Sequence, residues 1–418
     1  MGQTIAERIL ARAAGRSCVS PDEYIWVTVH QTNAGPQAFE ALGQLGITRL
    51  ARPDTVWCVS DHYAPPPDQH HANHDNALRA GVRKYGVGHF FEYGRHGISH
   101  QLFGEQGAML PGTVSAMSDS HSTSGGVFNC FATPVGGEVA FVLATGRLWV
   151  RVPHTIRIDL EGELSELCFG KDIALTLMGK LSDGSAIYKA LEIGGPGLRA
   201  LSIDGRWTIC NMGIETGAKA TICEYDGKLS GYLTERTAEP YEPAAPDHDC
   251  AYSSRLAIDV SAIQPMVACP HAPSNVCTAS EIEKRGVKVN QVFLGSCTNG
   301  RSEDIRAAAE ILRGRRIHPD VRMVVSPASQ AVWFQALREG WLETLAEAGA
   351  LVTHSTCGPC SGCHLGVLGD GDVCVSTSNR NYRGRVGSSE AEVYLSSAAT
   401  AAAAALTGTI VDPRSIGS

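Results

Sequence analysis

Cys357-Gly-Pro-Cys360 places two thiols three residues apart, and Gly295-Ser-Cys297-Thr-Asn299 supplies a third, sixty residues upstream. Three thiolates suffice for an iron–sulfur cluster and leave one iron without a protein ligand, whereas zinc asks for a fourth Cys or His. An exposed iron can act as a Lewis acid on a substrate hydroxyl. Arg380 and Arg385, in the run Ser378-Asn379-Arg380-Asn381-Tyr382-Arg383-Gly384-Arg385, add cations that suit a carboxylate substrate beside such a centre. Three acid or histidine stations complete the set: Asp61-His62, then His100, then Asp119-Ser120-His121. Adjacent Asp119, Ser120 and His121 cannot form a relay in which each group contacts the next, and no Gly-x-Ser-x-Gly elbow is present, so a hydrolase triad is excluded. Acid/histidine pairs on loops suit proton handling instead. Asp61-His62 by itself would also suit a plain surface turn.

These residues need a scaffold that brings distant turns to one place. Val287–Leu294 reads as a strand, Gly295–Gly300 as a turn, and Ser302-Glu303-Asp304 as the acidic first turn of a helix. Val321–Val325 and Leu351–His354 read as further strands with helices between, which puts Cys297 and Cys357 at the carboxyl ends of parallel strands, where open α/β sheets bind ligands. Val56–Ser60 leads into Asp61-His62 in the same way, and the apolar run Tyr24–Val29 ends at His30-Gln31, making Gln31 a candidate contact. Thr4–Ala14 has helical periodicity, and Pro36 opens another helical pattern. Asn211 and Glu215, four apart, would share a face if their segment is helical. The stretch from Pro65 to His74 resembles a histidine metal site, but its proline-rich, polar character predicts a solvated loop or lid. Gly194-Gly-Pro-Gly lacks a phosphate loop's Gly-Lys-Ser/Thr ending and reads as a turn. A change to short strands and glycine-rich turns predicts a second domain from 155 to 280, between a first at 1–154 and a third at 281–418.

Composition narrows the function classes. A chain of 418 residues, 43% hydrophobic and 19% charged, buries a large core without disulfide staples. A net charge of −8 argues against nucleic acid or an anionic membrane as main partner. No apolar run of about 18 residues and no secretory layout is present, so a cytoplasmic location is expected. The fourteen cysteines are sparse and irregular, as expected of buried thiols and metal ligands in a reducing compartment.

Taken together, the Gly-Ser-Cys-Thr-Asn turn, the Cys-Gly-Pro-Cys pair and the arginine-rich run resemble the aconitase superfamily, and within it the branch of large subunits that dehydrate alkylmalates. The resemblance covers nearly the whole chain, from His30-Gln31 to Asp412-Pro413-Arg414. It implies three α/β domains around a [4Fe-4S] cluster held by Cys297, Cys357 and Cys360, with the family's swivelling fourth domain absent. It implies a hydro-lyase or isomerase that removes and re-adds water on a hydroxy-di- or tricarboxylate such as 3-isopropylmalate. By position, Gln31, Ser120, Arg380 and Arg385 would bind substrate carboxylates, and Asp61-His62 and Asp119 with His100 would protonate the departing hydroxyl. His121, Asn211, Glu215 and Asn379 would support the cluster or contact water and substrate. The family's base is a serine on the swivelling domain, so a small partner subunit is expected to supply it. Thr32-Asn33, Glu138 and the histidine-rich stretch depart from the family pattern and leave related alkylmalate, citraconate, maleate or aconitate substrates open. Two other classes compete: an electron-transfer or structural cluster, if Cys363 were a fourth ligand, and an RNA-binding regulator, against which the acidic charge counts.

Overall fold

The computed structural model describes residues 2–362 and 364–417. Three parallel or mostly parallel sheets carry the described chain. In spatial order the first is His89–Phe91, Val56–Val59, Gln31–Asn33, Val114–Met117 and Phe131–Pro134, all parallel. The second is Ala220–Cys223, Ala190–Gly194, Thr155–Glu161 and Ser254–Asp259, again all parallel. The third has seven strands. Five run parallel in the order Glu392–Ser396, Val373–Ser376, Gln291–Leu294, Arg322–Val325 and Leu351–Val352, and a hairpin of Met266–Ala268 and Val276–Thr278 joins one edge antiparallel. Tyr24–Thr28 and Arg147–Arg151 form a separate antiparallel ribbon.

Strand order explains the site. In the first sheet the chain winds from Gln31–Asn33 outward through Val56–Val59 to His89–Phe91, then returns to start Val114–Met117 on the other side. The third sheet repeats this, running outward from Gln291–Leu294 to Leu351–Val352 and resuming at Val373–Ser376 on the opposite flank. Connections diverge at such reversals and leave a crevice beyond the carboxyl ends of the two central strands. Asp119 follows one strand bordering the first crevice, and Cys297 and Asn379 follow the two that border the second.

Several sequence expectations change in detail. The boundary predicted near residue 280 falls inside the third sheet, because Met266–Ala268 and Val276–Thr278 pair with that sheet's edge. Gln31 does not sit in the turn after a strand but opens a strand of its own, which pairs with Ser115 and Ala116. The histidine-rich stretch is not all loop: Asp68 accepts a hydrogen bond from the His71 amide and caps a helix at Gln69–Tyr85, so His70, His71 and His74 lie on its first turns. Asn211 and Glu215 do not share one α-helical face, since the helix Ile203–Met212 gives way to the 3₁₀ turn Gly213–Thr216. The helix at Ile5–Ala13 is as expected, closed by a Thr4–Glu7 capping box.

The segment Ser120–Phe128, which follows Asp119, packs onto the second sheet through Gly126, where a Cβ would lie 1.5 Å from the Thr221 carbonyl oxygen. Only glycine permits that approach. No helix among the described residues is long and apolar enough to cross a membrane.

Candidate active site

Cys297, Cys357 and Cys360 are all buried and line a single small cavity of about 40 Å³. The same cavity is lined by Asp61, His62, His100, Asp119, Ser120, His121, Asn379 and Arg385, so residues from the first and third sheets meet there. Cys297 sits on a tight turn, closed by a bridge between Gly295 and Asn299, in which Ser296 takes a positive φ of 80°. A non-glycine residue in that region costs on the order of 1–3 kcal/mol and persists only where its surroundings hold it. Here the Thr377 hydroxyl holds it, accepting from the Gly295 amide at 2.9 Å and lying 3.0 and 2.9 Å from the Gly295 and Asn299 carbonyls.

Side-chain amides aim at the sulfur. Asn211 and Asn379 each place Nδ2 against Cys297 Sγ, at 3.3 and 3.2 Å, and Thr298 links them by donating to Asn211 Oδ1 and accepting from Asn379, both at 2.8 Å. Ser296 Oγ reaches Cys360 Sγ at 3.5 Å. Burial pushes the Cys297 thiol up to about 11 and raises Cys357 well above its ordinary value. Three buried sulfurs, one of them facing two amide donors, are a donor set for a soft metal centre, whose charge would favour the thiolates that burial disfavours. No three His, Cys, Asp or Glu side chains among the described residues converge as ligands of a single ion. An iron–sulfur cluster does not require that, because each thiolate ligates a different iron.

Two buried cations that the sequence reading passed over anchor the same loops. Lys171, fully buried, donates to Asn299 Oδ1, the Thr377 carbonyl and the Ser378 carbonyl at 3.3, 2.9 and 2.6 Å. Burial brings its pKa down to about 7. Arg301 donates to the Cys297 carbonyl at 2.8 Å, to the Thr298 carbonyl and, through Nε, to Gln101 Oε1 at 2.8 Å, and lies 4.7 Å from the Trp207 ring centroid. Neither has a local sequence signal, since the loops they tie are far away in the chain.

Asp119 is the hub of the proton-handling groups. Its carboxylate meets His100 Nε2 at 2.8 Å and His62 Nε2 at 3.2 Å, and accepts from the His121 amide at 2.7 Å. Burial would raise its pKa, but the two imidazoles outweigh burial and hold it well below the usual carboxylate range. His62 is flanked on its other nitrogen by Asp61 at 2.6 Å, and the Asp61 charge, with the Cys357 sulfur and Asp119, lifts it well above the ordinary imidazole value. An imidazole between two carboxylates stays protonated at neutral pH and can act as an acid. His121 differs. Burial lowers its pKa, although Glu215 sits 2.9 Å from its Nε2. His100 Nδ1 and Arg385 Nε are buried without a hydrogen-bond partner among the described residues, and both residues line the cavity. A buried donor left open in this way calls for an oxygen-rich ligand.

Four expected site residues, Gln31, Asn211, Glu215 and Arg380, stand off the cavity wall. Glu215 accepts from Arg380 Nε at 2.7 Å while it holds His121, and Arg380 also donates to Ser120 Oγ at 3.1 Å. Gln31 is buried in the first sheet, hydrogen-bonded to Ser115, and does not line the cavity. His364, missed in the sequence, lies 3.1 Å from the His62 carbonyl and 3.3 Å from Thr356 Oγ1. Cys363 lies outside the described residues.

Strand reversal, three buried cysteines and an acid–histidine hub thus meet at one cavity. The model of the aconitase family (aconitate hydratase) matches residues 16–408. This chain belongs to the aconitase family. Within it, the chain is 42% identical over 418 residues, 99% of each protein, to "3-isopropylmalate dehydratase large subunit 1" of Methanopyrus kandleri. It is 41% identical over the full length of both proteins to the 3-isopropylmalate dehydratase large subunit of Caldanaerobacter subterraneus subsp. tengcongensis. It also matches the corresponding large subunit of Sulfurihydrogenibium sp., at 43% over 99% of this chain and 96% of that one. A solved structure, aconitase X of Thermococcus kodakaraensis, covers 85% of this chain and 84% of its own at 10% identity with a TM-score of 0.49.

Proposed function

We propose that this chain is the cluster-carrying subunit of a hydro-lyase that dehydrates and rehydrates a hydroxy-diacid of the 3-isopropylmalate type. We infer that Cys297, Cys357 and Cys360 hold a [4Fe-4S] cluster, and that a small partner subunit supplies the carbon base. The observation that carries this reading is Asp119 joining His62 and His100 on the wall of the cavity that the three cysteines line. When bound, such a cluster supplies Lewis acidity to a hydroxyl oxygen. The chain's own groups do the rest. His62, kept protonated by Asp61 and Asp119, delivers a proton to the departing hydroxyl so that it leaves as water. Asp119 takes up the orientation task, fixing both rings and stabilising the charge on them. Arg385 offers its open Nε to a substrate carboxylate, and Arg380, steadied by Glu215, offers its remaining guanidinium face beside Ser120. The relatives' designation as large subunits supports the separate partner.

The test is an anaerobic reconstitution with iron and sulfide, followed by assay against 3-isopropylmalate and a panel of hydroxy-diacids and their alkenes, with and without a small subunit from a related dehydratase. Alkene formation that requires the small subunit is expected. A reconstituted chain that shows a cluster spectrum but turns over none of the panel with that subunit would overturn the substrate reading.

The amide contacts make a further prediction. Replacing Asn211 by alanine removes its Nδ2 contact with Cys297 Sγ, and outer-sphere losses of this kind typically cost about 10–100-fold in metal affinity. Iron content after a timed chelator challenge should fall in Asn211→Ala by that order, and the iron-free variant should melt below the iron-free parent, because Thr298 and Ser124 lose a buried partner.

A further inference from the structure

Outside the candidate active site two pairs of cysteines stand with their sulfurs 3.5 Å apart: Cys210 with Cys223, and Cys269 with Cys277. Distance does not distinguish them, but access and electrostatics do. Cys210 and Cys223 are both fully buried, and burial holds the Cys210 thiol well above its ordinary value. Cys269 and Cys277 lie on the hairpin at the edge of the third sheet, where Cys277 is partly exposed and Cys269 is 6% exposed. The hairpin tightens beyond the paired strands, with the Cys269 amide donating to the Asn275 carbonyl at 2.7 Å. A hydrogen bond from the Cys277 thiol holds Cys269 down to about 7 against burial, and the exposed Arg285 guanidinium beside it lowers it further. The Cys277 thiol is raised in turn. Such a thiol is substantially ionised at neutral pH, and the thiolate is the nucleophile in exchange.

We propose that Cys269 and Cys277 form a reversible redox-modification site, a dithiol that small-molecule disulfides convert to an intramolecular disulfide. The Cys269 thiolate attacks one sulfur of the small disulfide, forming a mixed disulfide and expelling one small thiolate. Cys277, giving up its proton to solvent, then attacks the Cys269 sulfur and expels the second. Two protein thiols are oxidised and one small disulfide is reduced to two thiols. Beside this site, fully buried Asn381, between Arg380 and Arg385, donates to the Cys269 carbonyl at 2.8 Å and to the Val393 carbonyl at 3.1 Å.

The experiment incubates the reconstituted full chain anaerobically with glutathione disulfide, alkylates the remaining thiols and maps peptides by mass spectrometry. The expected result is a linked Cys269–Cys277 peptide pair, lighter by two hydrogen atoms and reversed by dithiothreitol, with Cys210 and Cys223 alkylated. Cys277→Ser should instead trap glutathione on Cys269. Exposed Cys18 reports that the reagent is active. Glutathione on Cys18 with Cys269 and Cys277 both alkylated would overturn the proposal, as would linkage of Cys210 to Cys223 at the same rate.

Discussion

Asp119→Asn should lower kcat by about 10²–10⁴-fold, the span that one positioned acid or base contributes. The carboxylate joins three groups at once: the rings of His100 and His62 and the His121 amide. An asparagine keeps the shape and one acceptor but loses the charge that stabilises two imidazoles, so the loss should fall on kcat more than on KM. The cluster should still assemble, because no hydrogen bond among the described residues joins Asp119 to Cys297, Cys357 or Cys360. The companion variant Asp61→Asn tests the pH dependence. His62 acts as an acid in its protonated form, which is present below its raised pKa and lost as pH rises through it. Asp61 is the largest influence raising that pKa. Removing its charge lowers the His62 pKa, so the alkaline limb of kcat/KM should move to lower pH. An alkaline limb that stays in place in Asp61→Asn would remove His62 from the role of acid.

The second large effect is on stability. Lys171→Met should destabilise the chain by about 3 kcal/mol or more, because it strands three buried acceptors, each worth about 1–3 kcal/mol when left unpaired. Those acceptors lie on two loops that do not otherwise share a cation: Asn299, from the turn that holds Cys297, and the carbonyls of Thr377 and Ser378, just before Asn379. Both loops should loosen together. Amide hydrogen exchange should therefore rise in residues 295–300 and 376–381 in parallel, alongside an earlier midpoint in urea. Lys171→Arg, which keeps donors but not the fit, should fall between the two. A Lys171→Met chain that melts like the parent would show that the loops are held by Thr377 and Arg301 alone.

Much of the chemistry was legible before any coordinates. Gly-Ser-Cys-Thr-Asn and Cys-Gly-Pro-Cys are local patterns, and a strand ending in a tight turn at Cys297 follows from hydrophobic run and turn residues within a dozen positions. Asp61 and His62 are neighbours, so their pairing needs little folding to predict. The histidine-rich stretch misled because its prolines and polar residues signal loop, while a single capping contact from Asp68 was enough to start a helix at Gln69. Gln31 misled because the His30-Gln31 turn expected after one strand is the start of another, which carries the side chain into the sheet toward Ser115.

What the sequence by itself determined was the kind of chemistry: which thiols, acids and cations are available, and the parallel α/β segments that carry them, since residue type and short-range periodicity decide both. Only the tertiary structure decided which of those groups meet. The winding order of two sheets reverses at the strands before Asp119 and Cys297, and Asp119 comes to bridge His62 and His100 across gaps of 57 and 19 residues in the chain. Lys171 and Arg301 owe their roles entirely to that packing, because a buried charge is tolerated only where distant carbonyls converge on it, and no local stretch of sequence encodes such convergence.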